Sequence, residues 1–310
     1  MRKRILAFIT GLRAAACAIG VSAPAMAGAS TSTMIDVSGW QKGISVPATG
    51  VDIALVKISQ GNYYTNSDYA RIVGAAQITG MGAGGYDFAD TAVSATAEAD
   101  YYLARISRYK GTGFLPILDW EPAKPCDVTW AQTWLDRVYS SFGVAPWIYM
   151  NISTEASCDW PSSITSRYGL WLAGGKYYNT SLTKDQIPQA YWSTRHWKVV
   201  AAWQYTSHGR VDGWSGNVDL SVFYGSMSRF NLYAKAGSSG AAVNPQSYET
   251  TSKSTTPTGS AETIAKDVIK GLYGNGSQRR MTLGSRYSEV MSVVNKLLTT
   301  STTTTTTSSY

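Results

Sequence analysis

The chain has 310 residues, 44% hydrophobic and 12% aromatic, which excludes a disordered protein and supplies one large core with room for a small second module. Its formal charge of +7 is unevenly spread: Arg2, Lys3, Arg4 and Arg13 open the chain, residues 28–244 carry 16 basic and 16 acidic side chains, and residues 261–298 carry 6 against 3. A neutral main part argues against nucleic acid as partner, and His196 and His208, with no cysteine in ligand spacing, leave no metal set and no sign of a cofactor.

Met1-Arg2-Lys3-Arg4, an apolar stretch to Val21 and Ala25-Met26-Ala27 follow the basic, apolar, small-residue order of a secretory signal over residues 1–27, cut after Ala27. Arg13 breaks the apolar stretch, so a retained membrane anchor is the weaker alternative, and no later segment has transmembrane character. Cleavage removes Cys17 and leaves Cys126 and Cys158 in an oxidising compartment. A disulfide between them is expected; two separate buried thiols are the alternative.

Eight short apolar runs with strand character follow, at 34–37, 53–58, 82–88, 115–120, 147–150, 170–173, 199–204 and 218–223. Helical patterns at 68–78 and 92–109, and at Trp130, Trp134 and Val138 before Gly143, alternate with them, which predicts an α/β fold of the (β/α)8 barrel kind. The segment 205–217 before the eighth strand holds Gly209, Gly213 and Gly216 and no helical pattern. A parallel crossover usually needs a helix there, so a hairpin and an antiparallel last strand are expected. Residues 237–260 have linker composition. A small helical C-terminal module covers 261–298, with patterns at 262–271 and 287–298 around a Gly-rich turn, and the Thr/Ser run 299–310 is expected to be disordered.

On this map Asp36, Asp87, Asp119 and Glu121 fall at or near the C-terminal ends of the first, third and fourth strands, and Asp219 at the start of the eighth. All five should meet at the rim where barrel active sites form. Asp119 and Glu121, two apart, should face one side while Trp120 faces the other. A carboxyl crowded by others in an aromatic surround holds its proton to higher pH, and glycoside hydrolysis needs such a donor plus a second carboxylate. Residues 28–244 hold only three glutamates, Glu98, Glu121 and Glu155, and of these only Glu121 ends a barrel strand, which makes it the candidate general acid. Trp40, Tyr86, Phe88, Tyr149, Trp171, Trp203 and Tyr205 flank strand ends, where flat rings could stack on sugar faces or simply pack the barrel.

Asp36-Val37-Ser38-Gly39-Trp40-Gln41, Gly85-Tyr86-Asp87-Phe88-Ala89, Leu118-Asp119-Trp120-Glu121-Pro122, Trp203-Gln204-Tyr205-Thr206-Ser207 and Val218-Asp219-Leu220-Ser221-Val222-Phe223, in that order, resemble glycoside hydrolase family 25, the Chalaropsis-type lysozymes, over about 34–233. The resemblance implies a modified, flattened barrel and cleavage of the β-1,4 bond between N-acetylmuramic acid and N-acetylglucosamine in peptidoglycan. Matched by position, Glu121 would be the proton donor, Asp119 would orient the 2-acetamido group or stabilise the cationic centre, and Asp36 and Asp219 would complete an acidic floor. Asp87 stands where the family often carries His, so no role of that His is transferred. The C-terminal module resembles the cell-wall-binding repeat of phage lysozymes, present in one copy. The reading is a secreted, wall-associated, monomeric peptidoglycan hydrolase without stable membrane association after signal cleavage. A non-catalytic glycan-binding barrel and a chitinase-like enzyme are the alternatives.

Overall fold

A computed structural model describes residues 30–235 apart from 191, then 237, 257–269, 273 and 283–303. The signal at 1–27, most of the linker at 237–260, most of the Gly-rich turn and the tail beyond 303 lie outside the described residues.

Nine strands form one sheet: β1 (Ser32–Val37), β2 (Ile53–Gln60), β3 (Tyr64–Thr65), β4 (Gly82–Phe88), β5 (Phe114–Asp119), β6 (Trp147–Asn151), β7 (Gly169–Ala173), β8 (Val200–Val211) and β9 (Trp214–Phe223). β1, β2, β4, β5, β6, β7 and β8 pair in parallel, β9 runs antiparallel to β8 and to β1, and the β1–β2 pairing closes the barrel. The expected eight-stranded barrel with an antiparallel last strand is therefore present; β3 is a two-residue addition hydrogen-bonded to the outer end of β2. Strands covered on both faces read as nearly unbroken apolar runs, and β5 and β7 are buried at every position.

The outer layer holds α1 (Tyr69–Ile78), α2 (Ala95–Ile106) and α3 (Val128–Phe142). Asp127 caps α3 by accepting from Trp130 N, and Gly143 ends it in the left-handed region at φ 87°. Later connections shorten to α4 (Ile152–Ser157) and α5 (Ser162–Thr165), then to 174–199, where no described residue is helical, and α6 (Met227–Tyr233) closes the domain. In β5, Pro116 offers no N–H to the ladder. Beside it the buried Tyr102 hydroxyl of α2 donates to Gly85 O at 2.6 Å and accepts from Ile117 N at 3.4 Å, pinning α2 to the barrel below the cleft.

The β8–β9 hairpin turns tightly over Asp212-Gly213, within the expected 205–217 connection, and the rest of that segment is strand. Both strands continue past the rim with register shifts, so Asp219 lies within β9 instead of at its start. The C-terminal part has its own small core of Ile264, Ala265, Val268, Leu283, Val290 and Val294 between α7 (Ala261–Ile269) and α8 (Tyr287–Thr303). α8 runs into the Thr/Ser stretch expected to lack structure, because extending an existing helix adds a hydrogen bond per residue fixed.

Candidate active site

A cleft of about 590 Å³ opens at the C-terminal ends of the parallel strands, floored by Asp36, Asp119, Glu121 and Asp219. Asp36 lies one residue before the end of β1 and sits directly opposite Asp219 in the antiparallel β1–β9 ladder. That pairing, available only because β9 reverses direction, brings two carboxyls from distant parts of the chain side by side.

Asp119 ends β5 and Glu121 follows it. Both line the cleft, while the buried Trp120 between them turns away, donating from Nε1 to Pro125 O at 2.8 Å and packing 5.4 Å from the Trp130 ring. The Trp120 N–H also donates to Tyr149 O at 2.9 Å. Cys126 and Cys158 form a disulfide with Cα atoms 5.0 Å apart, joining the loop after Glu121 to the end of α4. Glu121 thus hangs from a segment fixed by an indole and a disulfide.

Burial pushes Asp36 well above the ordinary carboxylate range, and the charges of Asp219 and Asp119 push it further, against a hydrogen bond from Gln204. Asp119 is also held well up by burial and then by Glu121, against the pull of Lys57; its Oδ1 is buried with no protein hydrogen-bond partner. Glu121 as a residue reaches solvent at the cleft mouth. Its carboxyl is nevertheless raised, first by the desolvation it does experience inside the cleft and next by Asp219. Asp219 is raised by burial and eased down by its hydrogen bond with Asp36. Four neighbouring carboxyls oppose one another's ionisation, so the cleft holds protons to higher pH than isolated carboxyls would.

Tyr86, Tyr149 and Trp171 line the cleft as expected, and Trp40 stands 91% exposed at its edge. Trp40 sits on a 3-10 turn, Gly39–Gln41, that Ser38 and Gln41 cap reciprocally, with Ser38 N donating to Gln41 Oε1 at 3.0 Å. Three other expected ligands lie elsewhere. Asp87 is fully buried on the outer side of β4, accepting from Ser59 Oγ at 2.6 Å and from Trp134 Nε1 at 2.9 Å. Its neighbour Tyr86 takes the inner side, and adjacent strand residues cannot both face the cleft. Trp203 and Tyr205 likewise point away from the cleft. The Trp203 Nε1 donates to Gly174 O at 3.0 Å, and Gln204 between them faces inward.

Gln204, Tyr178, Lys57, Gln60, Tyr64 and Phe88 also line the cleft. Among its described lining residues Lys57 is the sole cation, donating to Gln60 Oε1 at 2.8 Å with its ammonium 4.5 Å from the Phe88 ring centre. Gln204 lies in a stretch of β8 buried on both faces, and Tyr178 in an irregular segment, so sequence pattern marks neither. Among the described residues no group of His, Cys, Asp or Glu is arranged to hold a metal ion, and no helix is long and apolar enough to cross a membrane.

Known proteins agree with this geometry. Residues 262–298 match the CW_7 repeat. The chain is 30% identical to Lysozyme M1 of Streptomyces globisporus over 63% of this chain and 68% of that one, and 27% identical to an N,O-diacetylmuramidase of Arthroderma benhamiae over 72% and 97%. A bacterial lysozyme structure from Streptomyces coelicolor superposes with a TM-score of 0.54 at 26% identity, covering 66% of this chain and 97% of that one. The model of glycosyl hydrolases family 25 matches residues 35–214, more than half of the chain, and the protein belongs to that family.

Proposed function

We propose that the cleft hydrolyses the β-1,4 bond between N-acetylmuramic acid and N-acetylglucosamine in peptidoglycan, with Glu121 giving its proton to the leaving oxygen. The observation that carries this reading is the placement of Glu121, at the mouth of an acidic cleft where partial desolvation and then the charge of Asp219 raise its proton affinity. Asp119, lining the cleft floor beside Glu121, is suited to accept the N–H of the 2-acetamido group and hold its carbonyl toward the anomeric carbon. Asp36 and Asp219 supply negative potential beneath the developing oxocarbenium ion. Trp40, exposed at the edge, offers a face to a sugar ring, and Tyr86, Tyr149 and Trp171 shape the cleft wall against it.

The enzyme acts at the bacterial cell wall as a secreted monomer, leaving no stable membrane association once the signal is cut, and its weakly basic C-terminal repeat binds the anionic wall. Glu121→Gln tests the assignment. The variant should melt like the parent and lose about 10²–10⁴-fold of its lysis of purified walls. Mass spectrometry of parent digests should find reducing N-acetylmuramic acid ends; reducing N-acetylglucosamine ends, or retained lysis by the variant, would overturn the reading.

A further inference from the structure

Lys57 is a cation in an acidic cleft that no acid neutralises by contact. Its ammonium donates to Gln60 Oε1 at 2.8 Å and lies 4.5 Å from the ring centre of Phe88 and 5.3 Å from that of Tyr64. Lys184 and Lys266 form ion pairs, whereas among the described residues no carboxylate pairs with Lys57. An ammonium has several N–H donors and no acceptor, so the neutral Gln60 leaves donors over for the cleft. The strand is shaped to aim them there. Lys57 and Ser59 would share a face in an unbroken β2, but the β2–β4 ladder slips between them, so Ser59 bonds Asp87 outside the barrel while Lys57 lines the cleft. The buried Asn66 holds the slip, its Nδ2 donating to Lys57 O at 3.0 Å and its backbone N–H to Ile58 O at 2.9 Å.

Tyr64 extends this aromatic flank to the Trp40 turn, where a Cβ on Gly39 would stand 3.3 Å from the Tyr64 hydroxyl. The floor of Asp36, Asp119, Glu121 and Asp219 repels an anion, so a ligand carboxylate is accepted only along the Lys57 flank. Burial weakens the hold of Lys57 on its proton, against the pull of Asp119 and then Asp87, so the cation has given up water without gaining a contact partner of opposite charge. Under the muramidase reading, on which the inference rests, one sugar of the repeat brings such a partner. Muramic acid carries a lactyl ether on O3, which ends in its own carboxylate where the peptide has been removed and in the carboxylates of the stem peptide where it has not. N-acetylglucosamine has neither. We infer that Lys57 binds a carboxylate borne on O3 of N-acetylmuramic acid and is a specificity-determining residue, selecting muramyl glycan over glycan of N-acetylglucosamine alone. The rival role, tuning Asp119 through space, affects charged and neutral ligands alike.

The disaccharide N-acetylglucosaminyl-N-acetylmuramic acid lacks the bond proposed for cleavage, so binding can be read without turnover. NMR titrations of the full chain near neutral pH compare its free lactyl acid with the methylamide, and its L-alanyl-D-glutamate conjugate with the diamide. The parent should bind an acid about tenfold more tightly than the matching amide, and the pair that shows the difference identifies the lactyl or the stem carboxylate as the ligand. Lys57→Met, which keeps an apolar chain of similar length and removes the charge, should bring that ratio to within about twofold of unity, and Lys57→Arg should keep most of it. If Lys57→Met does not fold, the ¹H–¹⁵N signal of the parent's Lys57 ammonium carries the test, moving with the acid and not with the amide. Equal affinities within both pairs for the parent, a preference retained by Lys57→Met, or an ammonium signal blind to the acid overturn the inference. Reducing N-acetylglucosamine ends in wall digests would overturn the muramidase reading alone, because the binding ratios are measured independently of cleavage.

Discussion

Glu98 is a buried acid that faces away from the cleft, and its replacement by Gln should flatten the pH dependence of folding. Oε1 accepts from Gly61 N at 3.0 Å and from Asp90 N at 3.1 Å, and the carboxyl shares a hydrogen bond with the buried Asp87. Burial raises its pKa from 4.5 to about 7, with the charge of Asp90 adding and its hydrogen bonds opposing. Tyr63, whose hydroxyl donates to Asp90 Oδ2 at 2.9 Å, and Lys57, attracted by Asp87, are the other titrating groups nearby. The folded state therefore binds the proton more tightly than the unfolded chain. Its contribution is fully present below about pH 4.5 and is lost as pH rises to about 7, after which it is flat. A shift of that size corresponds to at most about 3 kcal/mol, or roughly 5–10 °C in melting temperature for a domain of this size. Gln keeps an oxygen for Gly61 and Asp90 and turns its NH2 toward Asp87. Melts of parent and Glu98→Gln at pH 5 and pH 8, followed by circular dichroism, should show the parent losing several degrees more than the variant. Equal losses would refute the reasoning.

Trp40→Ala should leave the melting temperature unchanged, because the ring is 91% exposed, and raise KM for soluble glycan about tenfold with little change in kcat. Asp119→Asn should lower kcat by tenfold or more, while co-sedimentation with walls stays at the parent level. The Cys126–Cys158 bond spans a sequence separation of 32, so replacing both by Ser should remove roughly 3–4 kcal/mol, seen as a drop of about 10 °C in a thermal melt. Deleting 261–298 should weaken sedimentation with intact walls yet leave cleavage of soluble glycan unaltered, and equal wall affinity would rule out the repeat as an anchor.

Much of the frame was legible because strand and helix patterns alternate cleanly through Gly143, and because the glycine-rich segment before β9 has no helix to carry a crossover. The placement of Asp119 and Glu121 on one side of Trp120 followed from strand geometry alone. Strand phase was harder to read where both faces are buried. In Trp203-Gln204-Tyr205 the aromatic rings fill the layer outside the barrel and the polar residue faces the cleft, so hydrophobicity gives no sign of which side is functional. Asp87 misled for a related reason: an acid at a strand end suggests a rim position, but the Trp134 and Ser59 donors make a buried outer position tenable. Lys57 sits mid-strand among apolar residues, and its ring partners, Phe88 and Tyr64, come from elsewhere in the chain.

The antiparallel β9 ties the appearance of activity to the end of folding. Asp36 emerges early in synthesis and Asp219 late, and their juxtaposition exists only after β9 has docked between β1 and β8. Pairing of such distant segments is among the slow events of folding. A chain caught before that step lacks Asp219 beside Asp36, so its cleft is incomplete. Recovery of lysis after dilution from denaturant should lag the recovery of helical signal, because the cleft is completed only when the barrel closes.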